Sequence, residues 1–110
     1  MEFKMKEPLL YEETQEYKEM IKDFKSFADR LRELVDISID YYTPIVDSII
    51  RNKIRDKNRI EHTFDGLLDI AYDDRALVLY KRLARYYYTI DKESTFFYID
   101  AYREMWDSEE

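Results

Sequence analysis

The stretch Tyr17–Val35 reads YKEMIKDFKSFADRLRELV, and its spacing decides the fold class. Tyr17, Met20, Ile21, Phe24, Phe27, Ala28, Leu31, Leu34 and Val35 recur at intervals of three and four, with Lys, Glu, Asp and Arg between them. That is the period of one face of an α-helix, not the alternation of a strand. The spacing predicts a first helix from about Glu12 to about Asp40, with this stripe turned toward a core.

The same habit continues to the C-terminus. Thr43-Pro44 is a start signal, with Thr43 as N-cap and Pro44 at the first helical position of a second helix carrying Ile45, Val46, Ile49, Ile50 and Ile54. Asp56 caps a third helix, whose stripe is Ile60, Phe64, Leu67, Leu68 and Ala71. The pattern leaves open whether the second and third are separate or one bent helix. Asp73 or Asp74 caps a fourth helix reaching about Tyr88, and Asp91 caps a fifth from Lys92 to about Trp106. One glycine and two prolines in 110 residues leave little sequence for turns, so the connections are short. The fold expected is all-α, a compact antiparallel bundle of four to five helices. Residues 1–11, with Pro8 and no sustained period, read as an N-terminal arm, and residues 12–110 as a single helical domain. Gly66 falls inside the third helix, where it costs about 1 kcal/mol against alanine, and marks a close helix crossing or nothing.

Composition removes several classes of chemistry. The absence of cysteine excludes disulfides, thiolate metal sites and a cysteine nucleophile. Gly66 alone cannot build a phosphate-binding loop or a nucleophile elbow. One histidine excludes a ferritin-like di-iron site, which takes two Glu-x-x-His motifs, and none of Ser26, Ser38, Ser48, Ser94 or Ser108 sits in a triad-like setting. No cofactor or metal is expected. The longest apolar run is five residues, Ala76–Tyr80, and the N-terminus lacks the long apolar stretch of a signal peptide, so the expectation is a cytoplasmic protein.

Net charge is −7, which argues against general nucleic-acid binding. The charge is unevenly placed: residues 51–59 hold five bases and one acid, while the flanking segments 1–50 and 60–110 each hold twelve acids, against seven and six bases. In the third helix Glu61, Asp65, Asp69 and Asp73 lie four apart, and like charges at that spacing repel. The simplest account pairs this ladder with the cationic side of the fourth helix, Arg75, Lys81, Arg82 and Arg85; the sharper one is an anionic ridge that engages a basic partner.

The fourth and fifth helices carry more aromatic and aliphatic residues than one buried face accommodates. Leu79, Tyr86, Phe96 and Tyr98 are the candidate interface residues, because surplus aromatic area is favoured where proteins meet. The fourth helix also has a basic side opposite its aromatic sector, as membrane-surface helices do, but so broad a sector fits better inside a bundle. The leading expectation is a non-enzymatic interaction module, a small acidic regulator or inhibitor docking on a basic protein, with homodimerisation compatible.

Two strings bear on catalysis. Glu13-x-x-Glu16 followed by Glu33-x-x-Asp36 resembles the paired acidic motifs of MazG-type nucleotide pyrophosphohydrolases, which hold magnesium between adjacent helices. Here both halves fall on one predicted helix, about 30 Å apart over twenty residues, too far for one metal cluster unless a turn intervenes. Arg55-Asp56 followed by His62 resembles the Arg-x4–6-His signature of HEPN-type helical ribonucleases. That resemblance implies a proton-handling role for His62 and a phosphate contact for Arg55, with Arg51, Lys53, Lys57 and Arg59 drawing RNA toward them. It is the alternative to the interaction module.

Overall fold

A computed structural model of the chain describes residues 14–107. Among the described residues there are four helices and no strand: α1 (Gln15–Arg51), α2 (Lys57–Leu68), α3 (Asp74–Tyr88) and α4 (Lys92–Trp106). The fold is all-α. None of these helices is long and apolar enough to cross a membrane. The expected arm, residues 1–11, lies outside the described residues. The chain divides into two compact units, Met1–Leu34 and Val35–Glu110.

In the second unit, α2, α3 and α4 pack on one another, and each starts where a capping aspartate was expected. Asp56, Asp73 and Asp91 have extended backbone and accept from the amides of Arg59, Arg75 and Ser94, at 3.4, 2.8 and 3.0 Å. Each cap satisfies an amide that the helix itself leaves without a partner. The core gathers Ile60, Phe64 and Leu67 of α2, Leu79, Tyr80, Leu83, Ala84 and Tyr87 of α3, and Tyr98 of α4. Val46 and Ile49, from the C-terminal part of α1, are fully buried in the same cluster. Both ends of α4 are tied to α2: Lys57 pairs with Asp91 at 2.5 Å, and the Trp106 indole N–H donates to the Leu68 carbonyl at 2.7 Å.

The break expected at Thr43-Pro44 does not occur. The first and second expected helices are one helix of 37 residues with Pro44 inside it. Proline there removes one amide and costs about 3 kcal/mol in a helix interior. Burial on the far side offsets that cost, since Val46 and Ile49 reach the core only if the helix runs on. Asp40, whose carbonyl loses its donor, is exposed to water. Thr43 does not cap a new helix; its hydroxyl donates back to the Ile39 carbonyl at 2.7 Å.

The real interruption lies nine residues later. Ile54 N–H donates to the Ile49 carbonyl at 3.0 Å and Lys53 N–H to the Ile50 carbonyl at 3.3 Å, the paired bonds of a Schellman ending. Lys53 occupies the left-handed position with φ 53°. The second and third expected helices are therefore separate, and the basic segment 51–59 runs from the last residue of α1 through the connection, residues 52–56, into the first turn of α2. Gly66 does mark a close approach: a Cβ there would collide with the ring and hydroxyl of Tyr42 on α1.

In the first unit the outcome differs from the expectation more sharply. Much of the stripe stands exposed, with Phe24 64 %, Phe27 52 %, Leu31 42 % and Leu34 58 % accessible, while Tyr17, Ile21 and Ala28 are half-buried and Val35, in the second unit, is buried. Periodicity reports which face of a helix is apolar; it does not report what covers that face.

A non-glycine residue in the left-handed region costs roughly 1–2 kcal/mol, which glycine avoids. Lys53→Gly should therefore raise the midpoint of urea unfolding, by about 0.5–1 kcal/mol of stability after the added chain entropy of glycine. Lys53→Ala should leave it nearly unchanged.

Candidate functional site

Two carboxylates of the acidic ladder, Glu61 and Asp65, lie against tyrosine hydroxyls. Tyr87 is fully buried, and its hydroxyl donates to Glu61 at 2.5 Å. The Tyr98 hydroxyl lies beside the Asp65 carboxylate. Asp69 is the C-cap of α2, and Asp73 caps α3 while pairing with Arg75 at 3.1 Å. Of the four, Asp65 and Asp69 are exposed.

The expected pairing of this ladder with the bases of α3 is thus corrected: it holds only for Asp73 with Arg75. The other ion pairs of those bases go to α1, Arg75 to Asp36 at 2.8 Å and Arg82 to Asp47 at 2.7 Å. The physical reason is that α2 faces the apolar, tyrosine-bearing side of α3. Its carboxylates meet phenols there, which supply a hydrogen bond without the cost of burying a cation. The ladder and the surplus tyrosines were both visible in the sequence; that each answers the other was the missed signal.

Phe64 sits at the centre of this contact. Its ring stacks on Tyr98 with centroids 4.5 Å apart and interplanar angle 10°, and meets Tyr80 edge-on at 5.1 Å and Tyr87 at 5.8 Å. Tyr80 donates its hydroxyl to the Tyr98 carbonyl at 2.7 Å. Burial, reinforced by the charges of Asp65 and Glu61, pushes the Tyr98 phenol up to about 12. Burial likewise raises Tyr80 and Tyr87, the latter helped by its bond to Glu61. At the start of α4 the Lys57 ammonium, with the amide and hydroxyl of Ser94, holds the Asp91 carboxyl well below the usual carboxylate range.

The four candidate interface residues separate. Leu79 and Tyr98 belong to the core, 5 % and 6 % exposed, which corrects their assignment to a partner surface. Tyr86 is half-buried and donates its hydroxyl to the Ile54 carbonyl at 2.7 Å, closing the connection between α1 and α2. Phe96 is exposed, with its ring 6.0 Å from that of Tyr88, and Phe97 beside it is exposed as well. Lys92 lies over the Tyr88 ring at 5.4 Å.

The ribonuclease candidates are both exposed. Arg55 precedes the cap of α2 and His62 lies in its second turn, and no hydrogen bond or ion pair joins their side chains to other described residues. Glu16, Glu33 and Asp36 lie on one uninterrupted helix, so the turn that the pyrophosphohydrolase resemblance requires is missing between them; Glu13 lies outside the described residues. Among the described residues no group of three His, Asp or Glu side chains is placed to hold a metal ion. Two shallow cavities of about 240 Å³ lie along α3, one lined by Ile50, Arg82, Arg85 and Tyr86, the other by Leu77, Tyr80, Lys81, Ile99 and Tyr102.

No family model, curated protein or solved structure matches this chain. Its functional reading rests on its own residues.

The raised phenols favour the neutral side chain in the folded state. The stability they contribute is complete below their unfolded pKa of about 10 and is lost as pH climbs through the folded values. In an alkaline titration the phenolates of Tyr80, Tyr87 and Tyr98 should appear only together with loss of helical circular dichroism. Tyr87→Phe should make that alkaline unfolding less steep.

Proposed function

We propose that this chain is a helical protein-interaction module and not an enzyme. The observation that carries the reading is a set of large apolar side chains standing exposed in helical register: Phe24, Phe27, Leu31 and Leu34 on α1. Phe96 and Phe97 on α4 add a second exposed pair. Contiguous exposed apolar surface of this kind marks places where proteins meet. A basic partner suits the net charge of −7 and the exposed carboxylates Asp65, Asp69 and Asp74. The antiparallel succession of short-looped helices expected from the sequence is the scaffold, and the ties from α2 to both ends of α4 support it.

The ribonuclease alternative is the one competing reading, favoured by the exposure of both Arg55 and His62 beside the basic segment 51–59. The two readings separate in one assay. Purified chain incubated with RNA should leave it intact, as should His62→Ala and Arg55→Ala. RNA cleavage by the wild type that both folded variants lose would make the chain an enzyme and overturn the proposal.

A further inference from the structure

The exposed stripe of α1 keeps a strict seven-residue repeat. Phe24 and Leu31 are seven apart, Phe27 and Leu34 likewise, and the two series interleave at spacings of three and four. Written as a heptad, Phe24 and Leu31 are a positions and Phe27 and Leu34 are d positions, with Tyr17 and Met20 continuing the repeat toward the N-terminus. With a and d apolar in every repeat, the stripe suits a helix that packs lengthwise against another helix. The e positions beside it, Ile21, Ala28 and Val35, are apolar; the g positions include Asp23 and Arg30. Neither Asp23 nor Arg30 forms an ion pair with another described residue, although Arg32 and Asp29, one turn away on the outer side, pair with each other.

Resting on the interaction-module reading, we infer that the partner of this seam is a second copy of the same chain, with the two α1 helices antiparallel and Phe24 of each packed against Phe27 of the other. Charge favours one direction and one register. In an antiparallel pair, g positions face g positions. With Phe24 opposite Phe27, Asp23 of one copy meets Arg30 of the other, and the twofold axis repeats the contact. A slip of one heptad one way sets Asp23 against Asp23, although it brings Glu16 to Arg30, and a slip the other way sets Arg30 against Arg30. Only the register with Phe24 opposite Phe27 has attraction without repulsion. A parallel pair is worse served, because g positions then face e positions, and Asp23 and Arg30 would lie against Ala28 and Val35. The apolar e positions fit the antiparallel pair as well: Ile21 faces Ala28 across the axis and widens the apolar seam. The interface is isologous, so it closes at two copies.

Sedimentation velocity on the full chain over a range of concentrations tests this. The wild type should be a dimer in equilibrium with monomer. Arg30→Asp, which turns two attractive contacts into two repulsive ones, should weaken association about tenfold. The charge swap Asp23→Arg with Arg30→Asp should restore it. Because the chain has no cysteine, an equimolar mixture of Asp23→Cys and Arg30→Cys should oxidise to the mixed disulfide-linked dimer, while neither variant alone should cross-link. Circular dichroism confirms that each variant is helical. A wild type that stays monomeric at the highest concentration overturns the inference. So does a dimer indifferent to Arg30→Asp, or one without the mixed cross-link. Either dimeric outcome would leave the interaction-module reading standing on another face, whereas its own failure is read in the RNA assay.

Discussion

Three tyrosines surround Phe64, and each brings into the core a hydroxyl that water can no longer satisfy. An unpaired buried hydroxyl costs on the order of 1–3 kcal/mol, so the positions of the acceptors constrain how the helices meet. Glu61 and Asp65, one turn apart on α2, stand where Tyr87 of α3 and Tyr98 of α4 arrive, and the Tyr98 carbonyl takes the proton of Tyr80. A rotation of α3 by one residue would carry the Tyr87 hydroxyl away from Glu61. The stacked rings supply apolar area and the hydroxyls supply orientation, so α2, α3 and α4 have one satisfied arrangement instead of several comparable ones.

That arrangement decides what the rest of α3 can do. With its tyrosine side committed to α2 and α4, its arginines are left to meet α1, where Arg75 finds Asp36 and Arg82 finds Asp47. Such exposed pairs add little stability, but they agree with the Tyr86 bond to Ile54 and with the seating of Val46 and Ile49 in the core. The second half of α1 is therefore held through side chains of α3, which is why a proline in its interior is tolerated. A chain that started a new helix at Pro44 would have to find these contacts twice.

The helices themselves were legible in the sequence because their signals are local. Asp56, Asp73 and Asp91 cap what they were expected to cap, and Ile60, Phe64, Leu67, Leu83 and Tyr87 are buried as their spacing demanded. The misreadings share a different cause: each depended on which element lies opposite. Pro44 is favoured at a helix start and costly in a helix interior, and only the burial of Val46 and Ile49, which local sequence does not report, outweighs that preference. Leu79 and Tyr98 looked surplus because one buried face per helix was allowed, whereas α3 lies against both α2 and α4 and buries more than one face. The carboxylate ladder suggested cations because charge is the more conspicuous complement, although a phenol is the cheaper group to bury.

α1 has a part that belongs to the core of its own chain and a part whose apolar seam stands exposed. Hydrogen exchange, followed residue by residue in dilute and in concentrated solution, tests that division directly. The amides of Phe64, Leu67, Leu83 and Tyr87 should be protected equally in both, while those from Phe24 to Leu34 should exchange rapidly when dilute and slow as concentration rises. Protection of Phe24–Leu34 equal to that of Phe64 in dilute solution would mean that the chain covers its own seam, and would contradict the account.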